Sequence, residues 1–143
     1  MTLVAKDILE KDFLFLAPDT NALDGAKSMK EKRHGLIVIR GESGEPSGIV
    51  TEWDYLSKIV AEGKDPSKLL LKDIMTPNVF TVKSNEDVVA IAKIMHEKGI
   101  RRVLVLDGKK VIGVITSRTV LASLEDYLNR LSSEIARLHT PIF

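Results

Sequence analysis

The chain repeats itself. Lys6-Asp7-Ile8, Ala26, Met29, Glu31-Lys32 and Gly48-Ile49-Val50-Thr51 return as Lys72-Asp73-Ile74, Ala92, Met95, Glu97-Lys98 and Gly113-Val114-Ile115-Thr116. The displacement is 66 positions from Lys6 to Lys72 and 65 from Gly48 to Gly113, so one deletion inside the second copy aligns the two. A tandem duplication restricts the fold sharply. A copy of roughly 60 residues is marginal as an independent core. Two such copies must pack on each other, and a seam between related halves is a natural place for a ligand.

Each copy reads in one order. A short segment around Asp7-Ile8-Leu9 or Asp73-Ile74-Met75 comes first, and then an apolar stretch short enough for a buried strand, Phe13 to Leu16 or Val79 to Val82. A helix follows, with Ala22, Ala26 and Met29 or Val88, Ala92 and Met95 at helical spacing. Ser84, three residues ahead of Asp87, supplies an N-terminal capping signature for the second of these helices. Two β-rich runs come next, Leu36 to Ile39 with Gly48 to Thr51, and Val103 to Leu106 with Val111 to Thr116. Gly41-Glu42-Ser43-Gly44 and Asp107-Gly108 mark the hairpin turns. A last helix leaves each hairpin, from about Glu52 to Glu62 and from Ser117 onward, and Gly63, Asp65 and Pro66 close the first unit. The expected class is mixed α/β (α+β), a β-α-β-β-α unit twice over. We divide it as residues 1–66, residues 67–122 and a C-terminal helical extension, 123–143.

In that extension Leu121, Leu124, Leu128, Leu131, Ile135 and Leu138 alternate three and four apart, forming one narrow stripe on a helix that stops near Thr140-Pro141. Asp126 and Arg130 lie one turn apart on another face. The stripe either covers the protein's own core or makes a contact with a second copy.

Bulk properties narrow the function. Twenty-one basic and twenty acidic side chains leave a net charge of +1, which argues against broad binding along a nucleic-acid backbone but allows a local anion site. With no cysteine there is no disulfide, thiol nucleophile or thiolate metal site, and a reducing cytoplasm is the simplest home. Met1 to Glu10 has neither a signal-peptide pattern nor a membrane span. His34, His96 and His139 are far apart with no carboxylate at ligand spacing, so no metal site is expected, and His96 beside Glu97 is expected to face solvent. The serines lie in no nucleophile elbow and the glycines form no phosphate loop. No catalytic residue set emerges.

The sharpest local signal is Gly48-Ile49-Val50-Thr51-Glu52-Trp53-Asp54, a buried strand running straight into a helix start. Thr51 at the N-cap places Asp54 in the first turn. That pair either satisfies orphan backbone donors, or offers a carboxylate to the two hydroxyls of a ribose with Thr51 beside it. Trp53, the single tryptophan, covers a cleft or packs on its lobe; packing is the preferred reading.

The duplication, the apolar strand after Met75-Thr76-Pro77, the Gly-Ile-Val-Thr-x-x-Asp segment and its Gly-Val-Ile-Thr echo together resemble a pair of CBS domains, named after cystathionine β-synthase. The resemblance runs from about Val4 to Leu121. It implies a pseudo-two-fold pair with two clefts, frequent assembly into a homodimer, and binding of an adenosine-containing ligand: AMP, ADP or ATP, with S-adenosylmethionine or NADH as alternatives. Carried onto this chain, it puts Asp54 on the ribose with Thr51, Glu52 and Trp53 beside it, Val79 and Phe80 near adenine, and Arg101 or Arg102 near phosphate. In the second cleft Thr116-Ser117-Arg118-Thr119 has threonine in place of the aspartate, and Gly35-Leu36 replaces the arginine pair. Phe13 and Leu14 complete that set, which is expected to be the weaker or empty site, with Arg118 able to restore phosphate binding. The implied role is regulatory, through an unidentified protein target and without a membrane.

Overall fold

The structure is a computed structural model and describes residues 3–139. The elements in chain order are α1 (Ala5–Ile8), β1 (Leu14–Leu16), α2 (Ala22–Lys32), β2 (Leu36–Arg40), β3 (Pro46–Thr51), α3 (Glu52–Tyr55, continuing as a π-turn Leu56–Val60), α4 (Leu71–Ile74), β4 (Thr81–Lys83), α5 (Val88–Lys98), β5 (Arg102–Asp107), β6 (Lys110–Thr116) and α6 (Ser117–Leu138). They form two three-stranded sheets, β1-β2-β3 and β4-β5-β6. In each, the first strand runs parallel to the middle one and the hairpin partner antiparallel, with the second sheet repeating the register of the first.

The unbroken apolar runs of the middle strands follow from burial on both faces. Along β2, Ile37 and Ile39 face a core shared with α2, while Leu36 and Val38 turn the other way. Along β5, Val103 and Val105 face the second lobe's core and Leu104 turns the other way. The outward sets meet: Leu36, Val38, Leu104, Val111 and Val114, flanked by Phe13, Phe15, Ile49 and Val79, form a third apolar cluster between the sheets. A fully buried Val or Leu contributes about 1.5–3 kcal/mol, so this seam holds the two lobes together.

The two repeats exchange their leading segments. Helix α1 of the first copy supplies Ala5, Ile8 and Leu9 to the second lobe's core, and α4 of the second copy supplies Leu71, Ile74 and Met75 to the first. Backbone bonds fasten each: Ala5 and Lys6 N–H donate to the Glu86 and Ser84 carbonyls, and Leu71 and Lys72 N–H to Thr20 and Pro18. Beyond α1 the chain crosses β6, where Glu10 and Val114 exchange backbone bonds of 2.9 and 3.0 Å; beyond α4 it crosses β3, where Ile49 and Thr76 do the same at 3.0 and 2.8 Å. Gly113 makes the first crossing feasible, because a Cβ there would lie 2.7 Å from the Glu10 carbonyl oxygen and 2.6 Å from Leu9 Cδ1.

Two expectations change, and one open alternative is decided. The cap of α5 is Asp87 itself, accepting from Ala90 N–H at 3.1 Å; Ser84 is spent on the docking of α1. Trp53 does not pack on its lobe: it is 68% exposed, beside the exposed Leu56 and Val60. The stripe on α6 does not cover the protein's own core, since Leu121, Leu124, Leu128, Leu131, Ile135 and Leu138 are 40–81% exposed. Helix α6 meets the body at β6, α5 and α1, and the expected stop at Thr140-Pro141 lies outside the described residues. Among the described residues no helix is long and apolar enough to cross a membrane.

Candidate functional site

Strand β3 delivers Thr51 to the N-terminus of α3, and Asp54 folds back onto it. The carboxylate is 4% exposed. One oxygen accepts from Thr51 N–H at 2.8 Å and from the Thr51 hydroxyl at 3.2 Å. The other accepts from the Thr76 hydroxyl at 3.2 Å and pairs with Lys58 Nζ at 2.8 Å. A carboxylate has about four lone-pair sites, and here each has a donor. Lys58 also donates to the Ile74 carbonyl at 2.8 Å, tying α3 to the exchanged helix α4. The capping reading of Thr51 and Asp54 is therefore realised, and a ribose reaches this carboxylate only if Lys58 leaves it.

The corresponding position in the second lobe is neutral. Thr119 accepts from Thr116 N–H at 2.8 Å and its own N–H donates to the Thr116 hydroxyl at 3.2 Å. In front of this cap lies a cavity of about 480 Å³. Its walls come from four places: Glu10, Asp12 and Phe13 on the segment crossing β6; Arg33 to Leu36 at the corner between α2 and β2; Arg102, Val114 and Thr116 on the second sheet; and Arg118, Thr119 and Ala122 on α6. His34 Nε2 is buried and approaches Asp12 Oδ2 at 3.4 Å without forming a hydrogen bond. Apolar Phe13, Leu36, Val114 and Ala122 and the polar groups around them suit a molecule with a flat body and a charged end. Another cavity, of about 580 Å³, lies between the hairpin ends, where its polar groups, Ser43, Asp107, Lys109 and Lys110, come from the turns and the strand ends beside them.

The sequence-predicted residues distribute unevenly. Phe13, Gly35, Thr116, Arg118 and Thr119 line the 480 Å³ cavity together. Leu14 is buried in the first lobe's core, and Ser117 turns toward α5, beside Ala92 and His96. Arg102 lines this same cavity, while Arg101 is exposed and its carbonyl accepts from Ser117 N–H at 3.0 Å. The Glu52 carboxylate sits where a side chain on Gly35 would be, with an Arg102 nitrogen 3.5 Å from that same point. Val79 belongs to the seam, whereas Phe80 packs on the second lobe's core under Lys98, whose ammonium is 5.1 Å from the ring centroid.

Reading the sequence missed Lys58, Thr76, Glu10, Asp12 and Arg33. Lys58 carried a signal, standing one helical turn after Asp54. Arg33 carried another: the aligned residue in the second copy is Gly99, and both have left-handed backbone, φ 55° and 63°. Glu10 and Asp12 carried none, because they reach the cavity only through the exchange of leading segments. Among the described residues no three His, Cys, Asp or Glu side chains converge as a metal site.

The family described as the CBS domain matches the chain twice, over residues 5–61 and 71–126. An uncharacterized protein of Methanopyrus kandleri is 33% identical over 137 residues, 90% of this chain and 70% of that protein. A mitochondrial CBS domain-containing protein of Arabidopsis thaliana is 30% identical over 131 residues, 86% of this chain and 64% of that protein. Among solved structures, a CBS domain pair in complex with 5'-methylthioadenosine and S-adenosyl-L-methionine superposes with a TM-score of 0.78 at 28% identity, covering 89% of this chain and 99% of that one. A hexameric CBS-CP12 protein from bloom-forming cyanobacteria gives 0.77 at 30% identity, covering 85% and 67%.

Proposed function

Because the chain belongs to the CBS-domain family, we propose that it is a regulatory module that takes an adenosine-containing ligand between its repeats and passes its occupancy to a protein partner in the cytoplasm, without turnover. The observation that carries this reading is the cavity of about 480 Å³ walled by both repeats, since only a site spanning the seam can make ligand binding sensitive to how the lobes sit. A solved relative that holds two adenosine compounds supports the class of ligand. AMP, ADP and ATP are the first candidates, S-adenosylmethionine and NADH the next. The adenine would lie against Phe13, Leu36 and Val114. At the first cleft, expected from Thr51, Glu52, Trp53, Asp54, Val79, Phe80 and Arg101, a ribose would reach Asp54 only where Lys58 is displaced from it. Titration calorimetry and thermal shift with the five compounds test the reading. At a hundredfold excess over its dissociation constant a true ligand stabilises the fold by about 2.7 kcal/mol, and no response to any of them refutes it.

A second reading is favoured by the exposed stripe on α6: an assembly module joined to a second copy of itself. Six apolar residues at alternating three- and four-residue spacing match a copy of the same helix, knob to hole. A hexameric relative supports self-association. Sedimentation of the full chain should give an oligomer that Leu128→Glu converts to monomer; a wild-type monomer at tens of micromolar removes this reading.

A further inference from the structure

The two copies have traded a glycine for an arginine. Where the second reads Gly99-Ile100-Arg101, the first reads Arg33-His34-Gly35. The trade is structurally unfavourable. Position 33 ends α2 in left-handed backbone, φ 55° and ψ 39°, which glycine adopts freely and a residue with a Cβ does not. A non-glycine residue held there points to a role for its side chain, and Arg33 lines the 480 Å³ cavity. Arg102 and Arg118 line it too, one from the second sheet and one from α6. Among the described residues none of the three guanidinium groups has a carboxylate within 4 Å. Glu10 and Asp12 share the cavity, but Asp12 faces His34. Three guanidinium groups from three walls of one cavity, none of them in an ion pair, favour an anion between them, and their planar forks fit phosphate oxygens.

Resting on the adenosine reading above, we propose that this second cleft selects a ligand carrying two or more phosphates, with Arg33 restoring, two positions earlier in the chain, the cation that Gly35 lacks. A chain of phosphates offers anionic oxygens to all three guanidinium groups at once, whereas S-adenosylmethionine offers them only its carboxylate beside two positive charges and a neutral nucleoside offers no charge. The cleft without the aspartate is then read through its phosphates rather than its ribose.

The test titrates the full chain with ATP, ADP, AMP, adenosine, S-adenosylmethionine and inorganic tripolyphosphate, and repeats it with Arg33→Gly and Arg118→Gln. Expected is at least tenfold tighter binding of ATP or ADP than of AMP, adenosine or S-adenosylmethionine. Arg33→Gly should raise the melting temperature while weakening ATP at least tenfold and leaving adenosine unchanged. Arg118→Gln, on an exposed turn, should weaken ATP with the fold unaltered. ATP affinity within twofold of wild type in Arg33→Gly, or a preference for adenosine or S-adenosylmethionine, overturns the inference and leaves the adenosine reading standing. Tripolyphosphate binding as tightly as ATP, lost in Arg33→Gly, upholds the phosphate site and refutes the adenosine reading. No binding by any compound refutes both.

Discussion

Replacing Asp54 by alanine tests whether its carboxylate first of all holds the backbone. The Thr51 N–H, bonded at 2.8 Å to a group only 4% exposed, loses its acceptor. A lost cap of this kind costs about 1 kcal/mol, and up to about 2 where the freed donor stays away from water. Lys58 loses one partner, but its side chain is 41% exposed and keeps the Ile74 carbonyl, so its share is below about 1 kcal/mol. The Thr76 hydroxyl belongs to an exposed residue and re-solvates. The total is about 1–3 kcal/mol, or roughly 3–9 °C in melting temperature for a chain of this size. Asp54→Asn keeps an acceptor for Thr51 and should lose about 1 kcal/mol; Lys58→Met should lose less than about 1. Urea unfolding with equal m-values measures all three. If Asp54→Ala falls within 0.5 kcal/mol of wild type, or if Lys58→Met costs as much, the backbone cap is not the main role of this carboxylate. The same variants bear on ligand binding: weaker binding in Asp54→Ala is interpretable only after correction for its stability, whereas Lys58→Met frees the carboxylate and should tighten any ribose contact in the first cleft.

Other outcomes follow from single contacts. Gly113→Ala forces a Cβ into the Leu9 side chain and the Glu10 carbonyl; thermal melting should show about 1–3 kcal/mol of destabilisation, and wild-type stability would mean that the crossing over β6 is not close-packed. Half-burial pushes the Tyr55 hydroxyl up to about 12 from 10, and it donates to the Ala22 carbonyl at 2.7 Å. The folded state therefore holds this proton more tightly, so its contribution is complete below pH 10 and is lost as pH rises toward 12. Urea midpoints of wild type minus those of Tyr55→Phe should be flat to pH 10 and fall beyond it; a flat difference throughout refutes the assignment. Ile37→Ala, at a fully buried position in the first lobe, should cost about 2–5 kcal/mol, and a cost below 1 would show that the cavity collapses freely.

Local signals carried much of this molecule into view before any coordinates. The element order was readable because helix and strand periodicities differ, and because Gly44 and Gly108 take the positive φ that tight turns require. The cap formed by Thr51 and Asp54 was readable because its donor and acceptor are three residues apart. The α6 stripe was readable as spacing, but spacing does not say what covers a stripe. The first strand of each lobe came out shorter than expected at its start, β1 beginning at Leu14 rather than Phe13 and β4 at Thr81 rather than Val79, because parallel pairing with the middle strand starts only there.

What the sequence determined by itself is therefore the duplication, the repeating unit and the chemistry present in each copy, since all three rest on contacts between near neighbours in the chain. Tertiary structure decided which residues share a site. The exchange of α1 and α4 carries Glu10 and Asp12 onto the other copy's hairpin, Lys58 closes over Asp54, and Arg102 joins Arg33 and Arg118 around the cavity where the aspartate is missing. These pairings come from residues tens of positions apart, and their geometry is set by apolar burial across the seam between two half-domains that have no stable core alone.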